Sequence, residues 1–267
     1  METTDSMIKK LFTRMDDWRH LPSYQLERRV DLFFSLYIPE VISKIFECEV
    51  KDELIPEFPV KLSIIYNNKN NDKSFDFDAK NYNLNSNHSV KIDYVAITKN
   101  HEKAFLIELK TDKHSIKPEQ VKNLFYSGDD FSALIGGIQE IYCNSASDSI
   151  YRNKYNCLLN KLDSMGLFGE IGVFKEAYHN KGTYEDLSNR VSNFKPISNI
   201  EMKKVYIAPT KTNTDLLEKN NIEFITFQEF VKIAQKNNSE DKISSQFINY
   251  LREWDETAAG DKKILNQ

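Results

Sequence analysis

The stretch from residue 90 to residue 110, VKIDYVAITKNHEKAFLIELK, constrains the fold of this 267-residue chain more than any other. VKIDYVAI and AFLIELK are rich in β-branched and aromatic residues, and TKNHEK between them has the composition of a turn, so the stretch predicts a β-hairpin. Counted outward from a turn centred between Asn100 and His101, Asp93 comes opposite Glu108. The hairpin therefore carries paired acids where an ordinary core carries Val or Ile.

The pairing of Asp93 with Glu108 would bring two carboxylates into repulsion, and something must offset that repulsion. Side chains alternate along a strand, so Glu108 and Lys110 share a face, and in this register Asp93 lies on it too. A shift of one residue would separate the acids. Two carboxylates about 5 Å apart repel by about 3 kcal/mol at an effective dielectric constant near 20.

Three arrangements relieve this repulsion. One acid is protonated, or Lys110 neutralises both acids in a structural ion-pair cluster, or a divalent cation such as Mg²⁺ binds carboxylate and carbonyl oxygens. A fourth alternative is that the two strands do not pair at all. The spacing alone leaves these alternatives open.

Residues 24–38, YQLERRVDLFFSLYI, predict an amphipathic helix. Its apolar arc contains Leu26, Val30, Phe33, Phe34, Tyr37 and Ile38. Glu27 falls inside this arc, where a carboxylate is costly unless it is paired, and Asp31 one turn later is the alternative acid. The ordinary role of a Glu in the first turn is interaction with the helix dipole. Arg28 and Arg29 flank the arc and would hold these acids or contact a phosphate.

IDYVAI, a short turn and then FLIELKTD resemble the signature of the PD-(D/E)xK nuclease superfamily, an Asp on one strand followed by Glu-x-Lys on the next. The match follows the helix that carries Glu27, precedes a helix predicted to start at Pro118, and covers roughly residues 23–126 plus a strand near 205. The resemblance implies an α/β, restriction-endonuclease-like core. That core is a central mixed sheet of about four to five strands flanked by helices, here with additional C-terminal helices.

This resemblance implies a divalent-metal-dependent nuclease that hydrolyses phosphodiester bonds, with a DNA endonuclease as the favoured form. The implied catalytic residues are Glu27, Asp93, Glu108 and Lys110. The implied ligands of Mg²⁺ or Mn²⁺ are Glu27, Asp93, Glu108 and the carbonyl of Leu109. Lys110 would orient and help to deprotonate the attacking water, or balance charge in the transition state. The alternative is a catalytically inactive nuclease-like scaffold that binds nucleic acid or protein.

Substrate contacts in this hypothesis come from Arg28, Lys113, Lys117 and Gln120. Gln120 resembles the Gln that some branches of the superfamily place after Glu-x-Lys, but the Tyr expected four residues later is Leu124 in this chain. Many such enzymes act as dimers, so a homodimer is part of the family expectation.

The composition bounds the function. The net charge of −4 and the pI of about 5.8 argue against a general nucleic-acid coat. From Lys99 to Lys122, however, the sequence contains six Lys and four acids, and His101 and His114 add to this local excess of positive charge. A solvated polar face is the commoner meaning of such a run. The chain contains neither a GxxxxGK loop nor a GxGxxG fingerprint, which argues against nucleotide-driven and dinucleotide enzymes.

The three Cys, at positions 48, 143 and 157, have neither metal-ligand spacing nor an even number for a disulfide framework. No run approaches the roughly 20 apolar residues of a membrane span, and the N-terminus lacks an apolar signal region. We therefore expect a soluble cytoplasmic protein with no membrane partner.

The remaining sequence predicts the arrangement around the core. We expect an N-terminal helix within 1–22, a nuclease-like core over 23–236 with a helical insertion at about 129–200, and a C-terminal helix and tail over 237–267. Ser23 is a candidate helix cap. Residues 57–66 predict the first strand, and the Asn-rich segment 67–87 predicts a loop whose Asp76 and Asp78 are solvated. Further strands are expected at 203–210 and from residue 222.

Overall fold

The structure is a computed structural model that describes residues 4–21, 25–71, 87–146, 149–169, 184–237 and 242–258. Ser23, Asp76 and Asp78 lie outside these residues, so the predictions made for them are not addressed. Among the helices of the described ranges, none combines the length and the apolar character that crossing a membrane requires.

The fold is α/β, as the alternation of strands and helices along the sequence predicted. Within the described residues five strands form one mixed sheet in the order β1-β2-β3-β4-β5. β1 pairs with β2 in antiparallel orientation, and β4 pairs with β5 in parallel orientation. The strands are β1 (Ile55–Lys61), β2 (Ser89–Ile97), β3 (Lys103–Leu109), β4 (Glu201–Ala208) and β5 (Glu223–Thr226).

Helices flank this sheet. Before β3 the described helices are α1 (Thr4–Trp18), α2 (Glu27–Ser35), α3 (Ile38–Ile45) and α4 (Leu62–Asn71). After β3 they are α5 (Pro118–Tyr126), α6 (Phe131–Cys143), α7 (Ile150–Ser164), α8 (Tyr184–Asn193), α9 (Asp215–Lys219), α10 (Phe227–Asn237) and α11 (Lys242–Glu256). Pro39 lies at the start of α3, where its missing N–H costs nothing.

The chain divides into two compact units. The first unit comprises Met1–Leu54, Ile107–Val121 and Lys204–Gln267, and the second comprises Ile55–Leu106 and Lys122–Lys203. The first unit contains α2, both terminal helices and the end of β3. The second contains β1, β2 and the hairpin turn.

The core of the first unit is aromatic. The ring of Phe34 contacts those of Phe227, Phe230 and Phe247 at centroid distances of 5.6, 5.1 and 5.1 Å. Val30 and Phe34 are buried on the face of α2 that the apolar arc predicted. This packing fixes the rotation of α2, and with it the direction of Glu27 at its first residue.

Helix α1 lies within the range expected for the N-terminal helix and buries a narrow apolar stripe. Phe12 and Met15 are buried, whereas Leu11 and Trp18 are 50% and 46% exposed. Phe12 stacks on Tyr250 of α11 at 5.5 Å, so the contact with α11 selects a narrower stripe than helical spacing alone indicates. Arg19, immediately after α1, is buried.

One strand predicted in the second unit is shorter than expected. The prediction that 57–66 is a single strand is wrong beyond Lys61, because Leu62–Asn71 is helical, and the first five residues of the predicted loop 67–87 belong to this helix as well. A short apolar run does not distinguish strand from helix by itself. A Cβ at Gly137 of α6 would come within 2.9 Å of Ile64 Cδ1, so this glycine permits α4 and α6 to approach closely.

Candidate functional site

The end of β3 and the start of α2 supply the central side chains. Glu108 and Leu109 close β3, and Lys110 follows them. The backbone N–H of Lys110 donates to the carbonyl oxygen of Ile207 on β4 at 2.8 Å, which holds the chain in an extended path past the last strand residue. Extended geometry places Glu108 and Lys110 on one face, as expected from their spacing.

Lys110 donates to three oxygens. Its Nζ atom lies 3.1 Å from Glu27 Oε1, 3.4 Å from Glu108 Oε2 and 2.7 Å from the carbonyl oxygen of Leu109. An ammonium has three protons to donate, so these acceptors match its capacity. Here the Lys110 cluster denotes the side chains of Glu27, Glu108 and Lys110 with the carbonyl of Leu109. Three of the four groups expected to bind a metal are gathered in it.

Burial makes the Lys110 cluster electrostatically significant. The side chains of Lys110 and Glu108 are each 3% exposed and that of Glu27 is 30% exposed. Removing charges from water is costly, and their mutual attraction offsets that cost only when the pairing is complete. Two carboxylates facing one ammonium leave a formal excess of one negative charge among these three side chains.

A cavity of about 480 Å³ lies beside the Lys110 cluster, within the first unit. Its charged lining residues are the cations Arg19, Arg28, Lys110 and Lys117 and the acids Glu27 and Asp112, with the imidazole of His114 beside them. The cavity is thus bordered by more cations than anions although the whole chain is acidic. Positive charge around a concave site attracts anionic ligands.

Gln120, on α5, also lines the cavity. Its Oε1 atom is buried and has no hydrogen-bond partner among the described residues. A buried acceptor without a donor is costly, so a ligand that donates to this oxygen or coordinates it would be stabilised.

The structure gathers most of the predicted substrate residues. Arg28, Lys117 and Gln120 line the cavity, whereas Lys113 is not among its described lining residues. Asp31, the alternative acid of α2, accepts a hydrogen bond from the backbone N–H of Leu32 at 2.7 Å and is likewise not among the described residues that line the cavity. Glu27 is therefore the acid of α2 that belongs to the site.

Asp93 lies on β2, in the second unit, and is half-buried. The hairpin turn has the expected centre, because the backbone N–H of Thr98 donates to the carbonyl oxygen of Lys103 at 3.0 Å. The prediction that Asp93 pairs with Glu108 was counted outward from this same centre. The pairing itself stays a prediction.

Arg19 is a charged residue of the cavity lining that the sequence did not single out. A lone Arg after an amphipathic helix has the pattern of a solvated helix end, yet Arg19 is 4% exposed. Its Nη2 atom donates to the carbonyl oxygen of Thr257 at 2.9 Å, and this partner is 238 residues away in the chain. No local signal indicates such a contact. His101 contacts the carbonyl oxygen of Met165 through Nε2 at 2.8 Å and is not among the described residues that line the cavity.

Across the residues that the structure describes, no three His, Cys, Asp or Glu side chains are gathered as a set of metal ligands. The Lys110 cluster has two carboxylates and a carbonyl. Mg²⁺ is commonly bound by one or two carboxylates and completes its coordination with waters and substrate phosphate oxygens.

No known protein family, curated protein or solved structure matches the chain.

Proposed function

We propose that this protein is a divalent-metal-dependent nuclease that hydrolyses phosphodiester bonds, and we favour a DNA endonuclease with a restriction-endonuclease-like core. The observation that carries the proposal is the Lys110 cluster beside a cavity rich in cations, in which two carboxylate oxygens and the Leu109 carbonyl oxygen surround one ammonium. The cluster contains the Glu-x-Lys part of the PD-(D/E)xK pattern together with the acid of the preceding helix. Its side chains are three of the four that the proposed chemistry uses, and Asp93 is the fourth.

The donor set fits Mg²⁺ or Mn²⁺. Both metals prefer oxygen ligands, and Glu27, Glu108 and the Leu109 carbonyl would supply them, with Asp93 as the further predicted ligand. The unpartnered Oε1 of Gln120 adds an acceptor at the same cavity. A bound metal would supply Lewis-acid stabilisation of the negative charge that develops on the scissile phosphate.

The residues of the chain would carry the remaining steps. Hydrolysis forms a bond from the water oxygen to phosphorus, breaks the bond from phosphorus to the leaving ester oxygen, and transfers a proton to that oxygen. Lys110 would orient the attacking water and help to remove its proton, or balance charge in the transition state. Arg28 and Lys117, at the more exposed part of the cavity lining, would hold the phosphate by charge-assisted hydrogen bonds.

A catalytically inactive scaffold that binds nucleic acid or protein is the second candidate. It is favoured by the same ammonium, because Lys110 compensates part of the carboxylate charge without any metal. Such a cluster could serve as a buried structural ion pair in a domain that only binds.

Cleavage of plasmid DNA and of labelled single strands, with Mg²⁺ or Mn²⁺ and in EDTA, tests the proposal. We expect cutting only with metal, and we expect Glu108→Gln, Lys110→Ala and Asp93→Asn each to reduce the rate by about 100-fold or more, since Glu108 and Asp93 would hold the metal and Lys110 would act on the attacking water. Glu102→Gln, on the exposed hairpin turn, is the matched control and should cut at the wild-type rate.

Cutting that survives in both the Glu108 and the Lys110 variants, or that proceeds in EDTA, would exclude the proposed mechanism. Binding of DNA in EDTA with no cutting under either metal would favour the scaffold. If the protein bound no nucleic acid at all, the nuclease would be wrong, and only the protein-binding form of the scaffold would remain.

A further inference from the structure

Arg19 lies at the cavity wall although it follows the N-terminal helix and is remote in sequence from the predicted site. We propose that Arg19 binds a phosphate group of the ligand in this cavity, together with Arg28 and Lys117. The inference extends the proposed function by identifying the phosphate backbone of a nucleic-acid strand as the recognised group. It does not depend on cleavage, because anion binding needs no metal and no reaction.

The side chain of Arg19 is held from two directions. The Oδ1 atom of Asp16, one turn earlier, lies 3.4 Å from Arg19 Nε. Arg19 Nη2 donates both to the carbonyl oxygen and to the Oγ1 of Thr257, just after α11. Asp16 in turn accepts a hydrogen bond from Trp254 Nε1 of α11 at 2.9 Å. The position of the guanidinium therefore depends on both the first and the last described helix.

A guanidinium fixed in this way is suited to an anion. It is planar, always charged and loses little conformational freedom on binding once its side chain is ordered. Its side chain is only 2% exposed, so its charge is weakly screened by water at the cavity wall.

The distribution of the other cations indicates the ligand class. Arg28 and Lys117 are exposed, whereas Arg19 is buried, so positive side chains line the cavity at more than one depth. A volume of about 480 Å³ lies within the usual range for small-molecule sites of about 300–1,000 Å³. It accommodates a phosphate with its attached sugar. A free phosphate or nucleotide and a phosphate within a strand present the same chemistry, and the experiment separates them.

Fluorescence anisotropy of labelled single-stranded and duplex oligonucleotides in EDTA measures this binding without catalysis. We expect Arg19→Ala to weaken binding by about tenfold or more, because a charge-assisted contact to phosphate is lost. The slope of log K against log salt should become less steep by about 0.7 for a single strand, the value for one phosphate contact. Arg14→Ala, at an exposed position of the same helix, should leave affinity and slope unchanged.

Arg19→Lys keeps the charge and provides a second test of the inference if circular dichroism shows that the Ala variant does not fold. It should weaken binding while retaining the wild-type salt slope, because it loses the planar fork but not the charge. Wild-type affinity in Arg19→Lys together with wild-type affinity and slope in a folded Arg19→Ala would overturn the inference. If only Arg19→Lys is folded, its wild-type affinity alone would overturn it.

Competition by inorganic phosphate and by a nucleoside monophosphate separates this inference from the proposed function. Phosphate binding that depends on Arg19, with no affinity for either oligonucleotide, would support the anion site and contradict the nuclease proposal. Oligonucleotide binding and cutting that do not change in the Arg19 variants would support the nuclease proposal and contradict the anion site at Arg19. If wild-type protein bound neither phosphate nor oligonucleotide, both would be wrong.

Discussion

Replacing Lys110 with Met should destabilise the protein and make its stability depend on metal. Met preserves the length and the apolar stem of the side chain but removes the ammonium between Glu27 and Glu108. Breaking a buried ion pair by removal of one partner costs about 3–5 kcal/mol, and because Glu27 is partly exposed the lower part of that range applies. At about 2–4 °C of Tm per kcal/mol for a chain of this size, the expected fall in EDTA is about 6–15 °C.

A divalent metal should then restore part of the stability that Lys110→Met loses with the ammonium. In Lys110→Met a divalent cation would find the carboxylates of Glu27 and Glu108 without a competing positive charge. At a concentration 100 times its Kd, a ligand that binds only the folded state adds about 2.7 kcal/mol. We therefore expect Mn²⁺ to raise the Tm of the variant by several degrees more than it raises that of the wild type.

Differential scanning calorimetry in EDTA and across a Mn²⁺ titration measures both effects, with Lys219→Met on an exposed face of α9 as the control. An unchanged Tm in EDTA would refute the electrostatic reasoning about the Lys110 cluster. A large fall in Tm that Mn²⁺ does not reverse would leave the cluster as a structural ion pair and contradict its role as a metal site.

Two further predictions concern packing and thiol chemistry. Gly136→Ala should stabilise α6 by about 0.5–1 kcal/mol, since nothing lies within 4 Å of the added Cβ. Gly137→Ala should be about 1 kcal/mol less favourable than Gly136→Ala, because its Cβ would meet Ile64 Cδ1 at 2.9 Å and Lys61 Cβ at 3.2 Å; equal effects in urea titrations would contradict this packing. Burial raises the pKa of Cys143, so its thiol stays protonated to higher pH than usual. Iodoacetamide at pH 8 should therefore modify exposed Cys157 before Cys143, with Cys143 gaining reactivity as the pH rises above 9; peptide mass spectrometry that finds Cys143 modified first would refute this order.

The strands were predictable where apolar content and turn chemistry agree. β2 and β3 were expected within one residue of their observed bounds, because β-branched runs flank a polar turn of six residues. β1 was predicted too long, because LSIIY has strand composition but packs as a helix against α6. Local composition does not contain the tertiary contact that decides between the two.

The site was predictable where its members are close in sequence or share a periodic pattern. Glu108 and Lys110 are two residues apart on a strand, and Glu27 interrupts an apolar arc, so each departs from a pattern that the rest of its element follows. Arg19 departs from no pattern, and its partner Thr257 comes from the other end of the chain. Long-range hydrogen bonds of this kind have no local sequence signal.

The composition of the Lys110 cluster argues for a role beyond stability. A structural ion pair is best satisfied by one carboxylate for each ammonium, and apolar residues of similar volume often stabilise a core equally well. Here a second carboxylate, Glu27, approaches the same ammonium from another element, beside a cavity bordered by cations. Folding alone does not require that arrangement, and clusters of this kind are more frequent at functional sites. Failure of Mn²⁺ to stabilise Lys110→Met would favour the structural origin, because two carboxylates without a competing ammonium should bind a cation if their geometry suits one.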